Sequence, residues 1–277
     1  RFSTYYPSIR EMRKIKELLF RMFLSYDRKF PVQRGKFFVS KLLTRILGTI
    51  TLQTKDGIWL SVFPSSMMDK SYFNDRDESH NITINAINQL SPGDKFIDVG
   101  ANIGYFSFLA AKKVGQNGKV YSFEPSKREY ERLTQCIPIN HVDNIVHYNL
   151  ALSEQQGAIY FFTDEFHTGL NSIEEDSGGQ TNEKVICARL DEVVKDGKID
   201  LIKIDVEGAE LKVLRGTERL LKTKQVQKLI IEITPKFLAK YGDSKEAVYD
   251  FLLKHDYYPV FNKEDWQYDE IFMLKTG

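Results

Sequence analysis

The chain has 277 residues, 42% hydrophobic and 13% aromatic, enough apolar material for the packed core of one large domain or of a domain with an appendage. Its formal net charge of +1 conceals a division: residues 1–55 hold 13 Lys and Arg against 3 Asp and Glu, and residues 56–277 hold 26 against 35. That acidic body repels phosphates and argues against a nucleic acid partner, no run approaches the roughly 18 apolar residues of a membrane span, and Cys136 and Cys187, with no Cys-x-x-Cys pair, exclude a cysteine zinc site and fit a reducing, cytoplasmic setting.

Ile9, Met12, Ile15, Leu18, Leu19, Met22 and Phe23 recur at helical spacing among Arg10, Arg13, Lys14, Lys16 and Arg21, which predicts a basic amphipathic helix. Such a helix suits peripheral contact with an anionic membrane surface. It equally suits packing on its own domain or a dimer mate, with lysines snorkelling outward. The expected organisation is a basic helical N-terminal extension over 1–48 and a main domain over 49–277. The main domain opens with a small β-hairpin, 49–52 and 57–63, around Lys55-Asp56-Gly57, and a helix over 78–90 leads into the sheet.

From Asp94 the chain alternates strand and helix, the pattern of a doubly wound α/β fold. A strand over 95–100 precedes a helix over 104–113. A second strand, 119–124, precedes a helix to about 140, for which Ser126 and Glu129 read as a capping box. A third strand covers 145–151. The polar stretch 153–184 carries Gly157, Gly169, Gly178 and Gly179, reads as irregular, and is the candidate substrate lid. A fourth strand (200–205), a helix (209–221), a fifth strand (228–233) and a helix (244–254) follow. Two last runs, 257–261 and 270–274, predict a terminal antiparallel pair, unlike a dinucleotide-binding sheet.

The turn after the first strand reads Asp98-Val99-Gly100-Ala101-Asn102-Ile103-Gly104. Glycine there allows close approach, and the helix start offers unpaired N–H donors. Twenty residues on, Glu124 ends the second strand, placed to accept hydrogen bonds from both hydroxyls of a ribose. A dinucleotide cradle wants Gly-x-Gly-x-x-Gly; here Asn102 and Tyr105 take the second and third glycine positions, and the tyrosine is expected to hold the helix off the strand. Acids at the turn and after the second strand suit a nucleoside cofactor with a cationic end, such as S-adenosylmethionine, over a nicotinamide.

These motifs, with Phe123-Glu124-Pro125, Ala151-Leu152-Ser153, Arg189-Leu190-Asp191-Glu192, Lys203-Ile204-Asp205-Val206-Glu207-Gly208-Ala209-Glu210 and Leu214-Arg215-Gly216, resemble the FkbM-type S-adenosylmethionine-dependent methyltransferases over about 94–233. The resemblance implies a class I methyltransferase fold with a seven-stranded, mostly parallel sheet. It implies methyl transfer to a hydroxyl of a sugar, glycolipid or other secondary metabolite. Carried onto this sequence, the cofactor contacts are Asp98, Gly100, Ala101, Asn102 and Gly104 in the turn, Glu124, Pro125 and Ser126 after the second strand, and Leu150 and Ala151 at the end of the third.

A sugar hydroxyl is a poor nucleophile at neutral pH, so a base or a metal is expected. Asp205 and Glu232 end adjacent strands and suit base and orienter, or oxygen ligands to a magnesium-like ion. Glu207 shares a strand face with Lys203 and Asp205, although Glu207 and Glu210 could equally stabilise the start of the next helix, and Lys203 could neutralise Asp205. His167, in the glycine-rich stretch, completes the catalytic candidates; His80, His141, His147 and His255 have no suggestive sequence neighbours. A nicotinamide oxidoreductase and a catalytically silent cofactor-binding module are the alternatives.

Overall fold

The computed structural model describes residues 9–29, 33–73, 80–164, 180–195, 197–263 and 265–275. Two helices, α1 (Ile9–Lys29) and α2 (Gln33–Leu47), precede the hairpin β1 (Ile50–Gln53) and β2 (Trp59–Val62), then α3 (Met67–Ser71) and α4 (Asn81–Asn88). The wound part begins β3 (Lys95–Val99), α5 (Tyr105–Val114), β4 (Lys119–Phe123), α6 (Lys127–Asn140), β5 (Ile145–Tyr148). Next come β6 (Ala151–Leu152), β7 (Gly157–Asp164), β8 (Gln180–Ala188), α7 (Leu190–Val193), β9 (Leu201–Ile204), α8 (Glu210–Gly216) and α9 (Glu218–Lys222). The chain closes with β10 (Lys228–Ile233), α10 (Pro235–Lys240), α11 (Lys245–Lys254), β11 (Tyr257–Pro259) and β12 (Tyr268–Leu274).

Seven strands form the main sheet in the order β5-β4-β3-β9-β10-β12-β11, all parallel except β12, which runs antiparallel to both neighbours. This is the class I methyltransferase fold, and the reversed strand sets it apart from the dinucleotide-binding sheet. Its central strands are apolar on both faces because helices cover both. Phe96, Leu201 and Ile230 enter one core, shared with α5, α6 and the β1–β2 hairpin. Ile97, Val99, Ile202, Ile204, Leu229 and Ile231 enter the other, against α8, α9 and α11.

The basic helix packs on its own domain along one face. Phe20, Phe23 and Leu24 of α1 and Leu47 of α2 join the first core. Lys16 does not snorkel into solvent; its Nζ donates to the Leu47 carbonyl at 2.6 Å, satisfying the end of α2. No helix among the described residues is long and apolar enough to cross a membrane.

Several local expectations are corrected. The third strand breaks at Asn149, whose side-chain amide donates to the carbonyls of Glu124 and Pro125 at 2.9 and 2.8 Å and turns the chain out of the main sheet. Among the described residues of 153–184, β7 and β8 pair antiparallel from Gly157↔Cys187 to Asp164↔Gln180, with β6 alongside β8, whereas 165–179 of the candidate lid lie outside the described residues. The helix over 209–221 is two helices, because α8 ends with Gly216 against the chain at Ser153, where a Cβ would lie 2.1 Å from the Ser153 oxygen. Asp191 then accepts the N–H groups of Arg219 and Leu220 at 2.9 and 3.0 Å and starts α9.

The capping box is rewired as well. The Ser126 hydroxyl donates to the Glu129 carboxylate, while the Ser126 N–H goes to Glu124 Oε1 at 2.8 Å. The Tyr105 ring is buried against Tyr72 at 4.7 Å, and its hydroxyl donates to Asp56 of the hairpin turn at 2.7 Å. Helix α3, absent from the sequence reading, caps itself through Ser66, whose Oγ accepts the Asp69 N–H at 3.0 Å. Both cysteines are buried, and neither forms a disulfide.

One buried side chain bolts the hairpin and α3 to the sheet. Arg132 of α6, 3% exposed, donates through Nε to the Ser61 carbonyl at 2.8 Å, stacks over Phe63 at 4.6 Å and pairs with the wholly buried Asp69. Asp69 in turn accepts the Phe63 N–H at 2.7 Å. Removing one partner of a buried pair strands the other charge, so Arg132→Ala lowers stability by about 3–5 kcal/mol. Chemical denaturation measures it, and a loss under about 1 kcal/mol would refute the role given to this pair.

Candidate active site

Beyond the carboxyl ends of β3, β4, β9 and β10 the chain encloses a cavity of about 580 Å³, a size typical of small-molecule sites. Its shape follows from the turn after β3. Gly100 sits at φ +81°, and a Cβ there would lie 1.8 Å from the main-chain oxygen of Asp205. Only glycine lets the tips of β3 and β9 come this close. The Gly100 and Ala101 N–H groups both donate to the Phe123 carbonyl at 3.0 Å, fastening the turn to β4.

At one end of the cavity stands Glu124. Its Oε2 accepts the Asn102 N–H at 2.7 Å and its Oε1 the Ser126 N–H, so one carboxyl is gripped by two loops. Asn102 reaches this bond from a left-handed backbone, φ +49°. Burial, and behind it the charge of Glu129, pushes the Glu124 carboxyl up to about 8, against the two amide hydrogen bonds that favour its ionised form. Gly100, Ala101, Asn102, Pro125, Leu150 and Ala151 line the cavity with it.

Three expected cofactor residues do not reach this wall. Gly104 packs inward, where a Cβ would meet Leu133 at 2.8 Å. Ser126 is spent on Glu124 and Glu129. Asp98 is wholly buried beneath the turn: Ser122 Oγ donates to Ser107 Oγ at 2.7 Å, which donates to Asp98 Oδ2 at 2.6 Å. Burial raises the Asp98 carboxyl, and Lys203, its partner in the β3–β9 register, opposes that.

The other end of the cavity is acidic. Lys203, 4% exposed, bonds Asp205 Oδ2 at 2.8 Å. Asp205, Glu207 and Glu232 all line the space, with one carboxylate oxygen of each within 4.8 Å of the others. Glu207 holds a left-handed φ of +56°, a strained conformation of the kind stored at functional sites. Its Oε2 and the Oε2 of Glu232 are buried with no hydrogen-bond partner, while Glu232 Oε1 accepts from Gln267 at 2.8 Å. Burial first, then the charge of Asp205, drives both carboxyls well above the usual range. Glu210 stays out of the cavity and accepts the Gly208 N–H at 3.0 Å, the helix-start role. Oxygen ligands so grouped could hold a divalent ion.

The structure adds residues that the sequence reading passed over. His80 has neighbours after all: it stacks on Tyr72 at 5.0 Å, its Nε2 lies 3.1 Å from Ser71 Oγ, and all three line the cavity. Asp269 lies directly across from Glu232 in the β10–β12 register and accepts from Thr83 at 2.9 Å. Trp266, 80% exposed, stands at the rim. None of the three carries a local signal in the sequence, since the packing that brings them to the cavity is tertiary. His167 lies outside the described residues.

Comparison with known proteins identifies the frame. Residues 98–259 match the methyltransferase FkbM domain family. The chain is 31% identical over 162 residues to methyltransferase sdnD of Sordaria araneosa, covering 46% of this chain and 62% of that protein. It is 28% identical over 151 residues to the hexuronic acid methyltransferase AglP of Haloferax volcanii, covering 53% and 59%. This chain thus spans about 60% of the length of these curated relatives. Among solved structures, a putative rRNA-methylase from Clostridium thermocellum aligns with 70% of this chain and 96% of its own at a TM-score of 0.47 and 11% identity. With the family match spanning more than half of its length, the chain belongs to the FkbM methyltransferase family.

Proposed function

We propose that the chain is an S-adenosylmethionine-dependent O-methyltransferase acting on a hydroxyl of a sugar, a glycolipid or another glycoconjugate. The observation that carries this reading is one continuous cavity with a glycine turn and a gripped glutamate at one end and three grouped carboxyls at the other. The Gly100–Asn102 turn lines the cavity where the cofactor's amino-acid end would lie, Glu124 is placed for its ribose, and Leu150 and Ala151 offer an apolar bed for its base. Such a cofactor supplies an electrophilic methyl carbon on a sulfonium. The protein's task is then to align the acceptor oxygen and to take its proton.

Asp205, hydrogen-bonded to Lys203, is placed to orient the attacking hydroxyl. Glu232 and Glu207, whose surroundings raise their proton affinity, suit removal of its proton once ionised. Where the reaction uses a divalent ion such as magnesium, the same three carboxyls would hold it, and chelation with EDTA would abolish turnover. Support for a sugar acceptor comes from the relative named for hexuronic acid and from Trp266, whose exposed indole offers a stacking face at the rim.

Three outcomes test the reading. A carboxylate accepting two ribose hydroxyls must be ionised, and the Glu124 carboxyl sits at about 8. Calorimetric affinity for S-adenosylhomocysteine therefore rises with pH through 8, about 30-fold between pH 6.5 and pH 9. Glu124→Gln binds weakly and flattens the profile; a flat profile in the unaltered protein removes Glu124 from the ribose site. Asp205→Asn keeps that affinity within about twofold and lowers kcat by about 100-fold or more on a methylated sugar substrate, and unchanged kcat would strike Asp205 from the machinery. Trp266→Ala raises the acceptor KM about 5- to 10-fold, a stacking contribution of about 1 kcal/mol, without moving cofactor affinity; equal KM values would end the stacking assignment. A chain that binds the cofactor yet methylates no sugar would be a silent binding module.

A further inference from the structure

Helix α1 is apolar over a wider arc than its own core uses. Phe20, Phe23 and Leu24 are buried, yet Met12, Ile15, Leu18, Leu19 and Met22 remain exposed, Leu18 and Met22 by 60% and 61%. Helix α2 repeats the pattern. Ser40 and Leu47 face inward at 3% and 7%, whereas Phe38, Leu42 and Ile46, four residues apart and therefore on one face, stand out at 69%, 46% and 66%. Lys16 reaches the Leu47 carbonyl and Lys36 reaches the Asp27 carbonyl, so the two helices lie antiparallel, start against end. Each helix thus carries a second apolar stripe that the core leaves exposed.

The surrounding charge says what covers that face. Residues 1–55 carry 13 basic side chains against 3 acidic, a balance of +10, and Lys14, Arg21, Lys29 and Arg45 are exposed on these two helices. A second copy docking face to face would press two such segments together. An anionic interface accepts them, taking apolar side chains into its acyl boundary and basic ones among its headgroups. We propose that the outer face of the α1–α2 pair docks on the surface of an anionic lipid bilayer. The pair is tied to the cavity wall, since Lys70 of α3 lies 3.4 Å from the Asp27 carboxylate and Met67 of α3 lines the cavity. Docking therefore sets how far the cavity mouth stands from the lipid.

The test is co-sedimentation of the full chain with vesicles of phosphatidylcholine alone and with about one-third phosphatidylglycerol. The chain pellets with the anionic vesicles, does not pellet with the neutral ones, and releases as salt rises. The double variant Leu18→Glu/Phe38→Glu lowers the partition constant at least about tenfold at an unchanged melting temperature. The charge variant Lys14→Gln/Arg45→Gln, which leaves the apolar face intact, lowers it about tenfold or more. Failure to bind the anionic vesicles, or undiminished binding by both variants, overturns the proposal. So does a dimer in sedimentation velocity that the first variant splits while no vesicle binding is seen, which would give the face to a second copy.

Discussion

The site hangs on one buried lysine. Lys203 lies in β9 with its ammonium bonded to Asp205 and with Asp98 opposite it in the next strand. Burial alone would lower its pKa; the charges of Asp205 and Asp98 outweigh burial and hold the ammonium well above the ordinary lysine range. A close pair at an effective dielectric near 20 interacts by about 4 kcal/mol, while desolvation costs several kcal/mol for each ion. One partner would therefore roughly break even, and a second acid decides the balance. Lys203 can remain charged in the core because two strand tips share it, and the Phe106 ring face, 5.0 Å away, adds to that. Asp98, read from the sequence as a ligand contact, serves one layer deeper, as the group that helps hold Lys203, and through it Asp205.

That arrangement requires the strand tips to lie closer than ordinary side chains allow. Gly100 removes the one Cβ that would block the Asp205 backbone, and the Asp205 N–H answers by donating to the Val99 carbonyl at 3.0 Å. The far wall has a separate support. Helix α3 reaches the cavity through Met67, Met68 and Ser71, and it is too short to stand alone. Arg132 and Asp69 hold it against α6 and β2. The end of the cavity at Glu124 is thus built from chain-local turns, and the acidic end from parts far apart in sequence.

This difference explains what could be read in advance. The sheet strands were legible because burial on both faces demands unbroken apolar runs, and Ile97 and Ile202 each lie in one. Gly100, Asn102 and Glu124 were legible because a turn and a strand end are local. His80, Asp269 and Trp266 meet only through tertiary packing, across nearly two hundred positions, and nothing beside any of them announces it. The β7–β8 hairpin was missed for another reason. Glycines at 157, 169, 178 and 179 mask the alternation that pairs Ala158 with Ile186 and Tyr160 with Lys184. Helix α9 was hidden because its cap, Asp191, lies 28 residues from Arg219.

The acidic end of the cavity carries more negative charge than Lys203 can answer. Glu232 and Asp269 stand directly opposite across β10 and β12, where like charges repel. Glu207 adds a third carboxyl whose buried oxygen has no hydrogen-bond partner. Burial raises all three, so each holds a proton more tightly than an exposed carboxyl does. A protonated carboxyl is a poor base, and a cation brought into the cavity shifts these groups toward ionisation by the same Coulombic term that now opposes it. In the proposed reaction the cofactor itself is that cation. With that charge bound, Glu207, Glu232 and Asp269 would give up their protons more readily, and Glu207 and Glu232 would then suit the role of base.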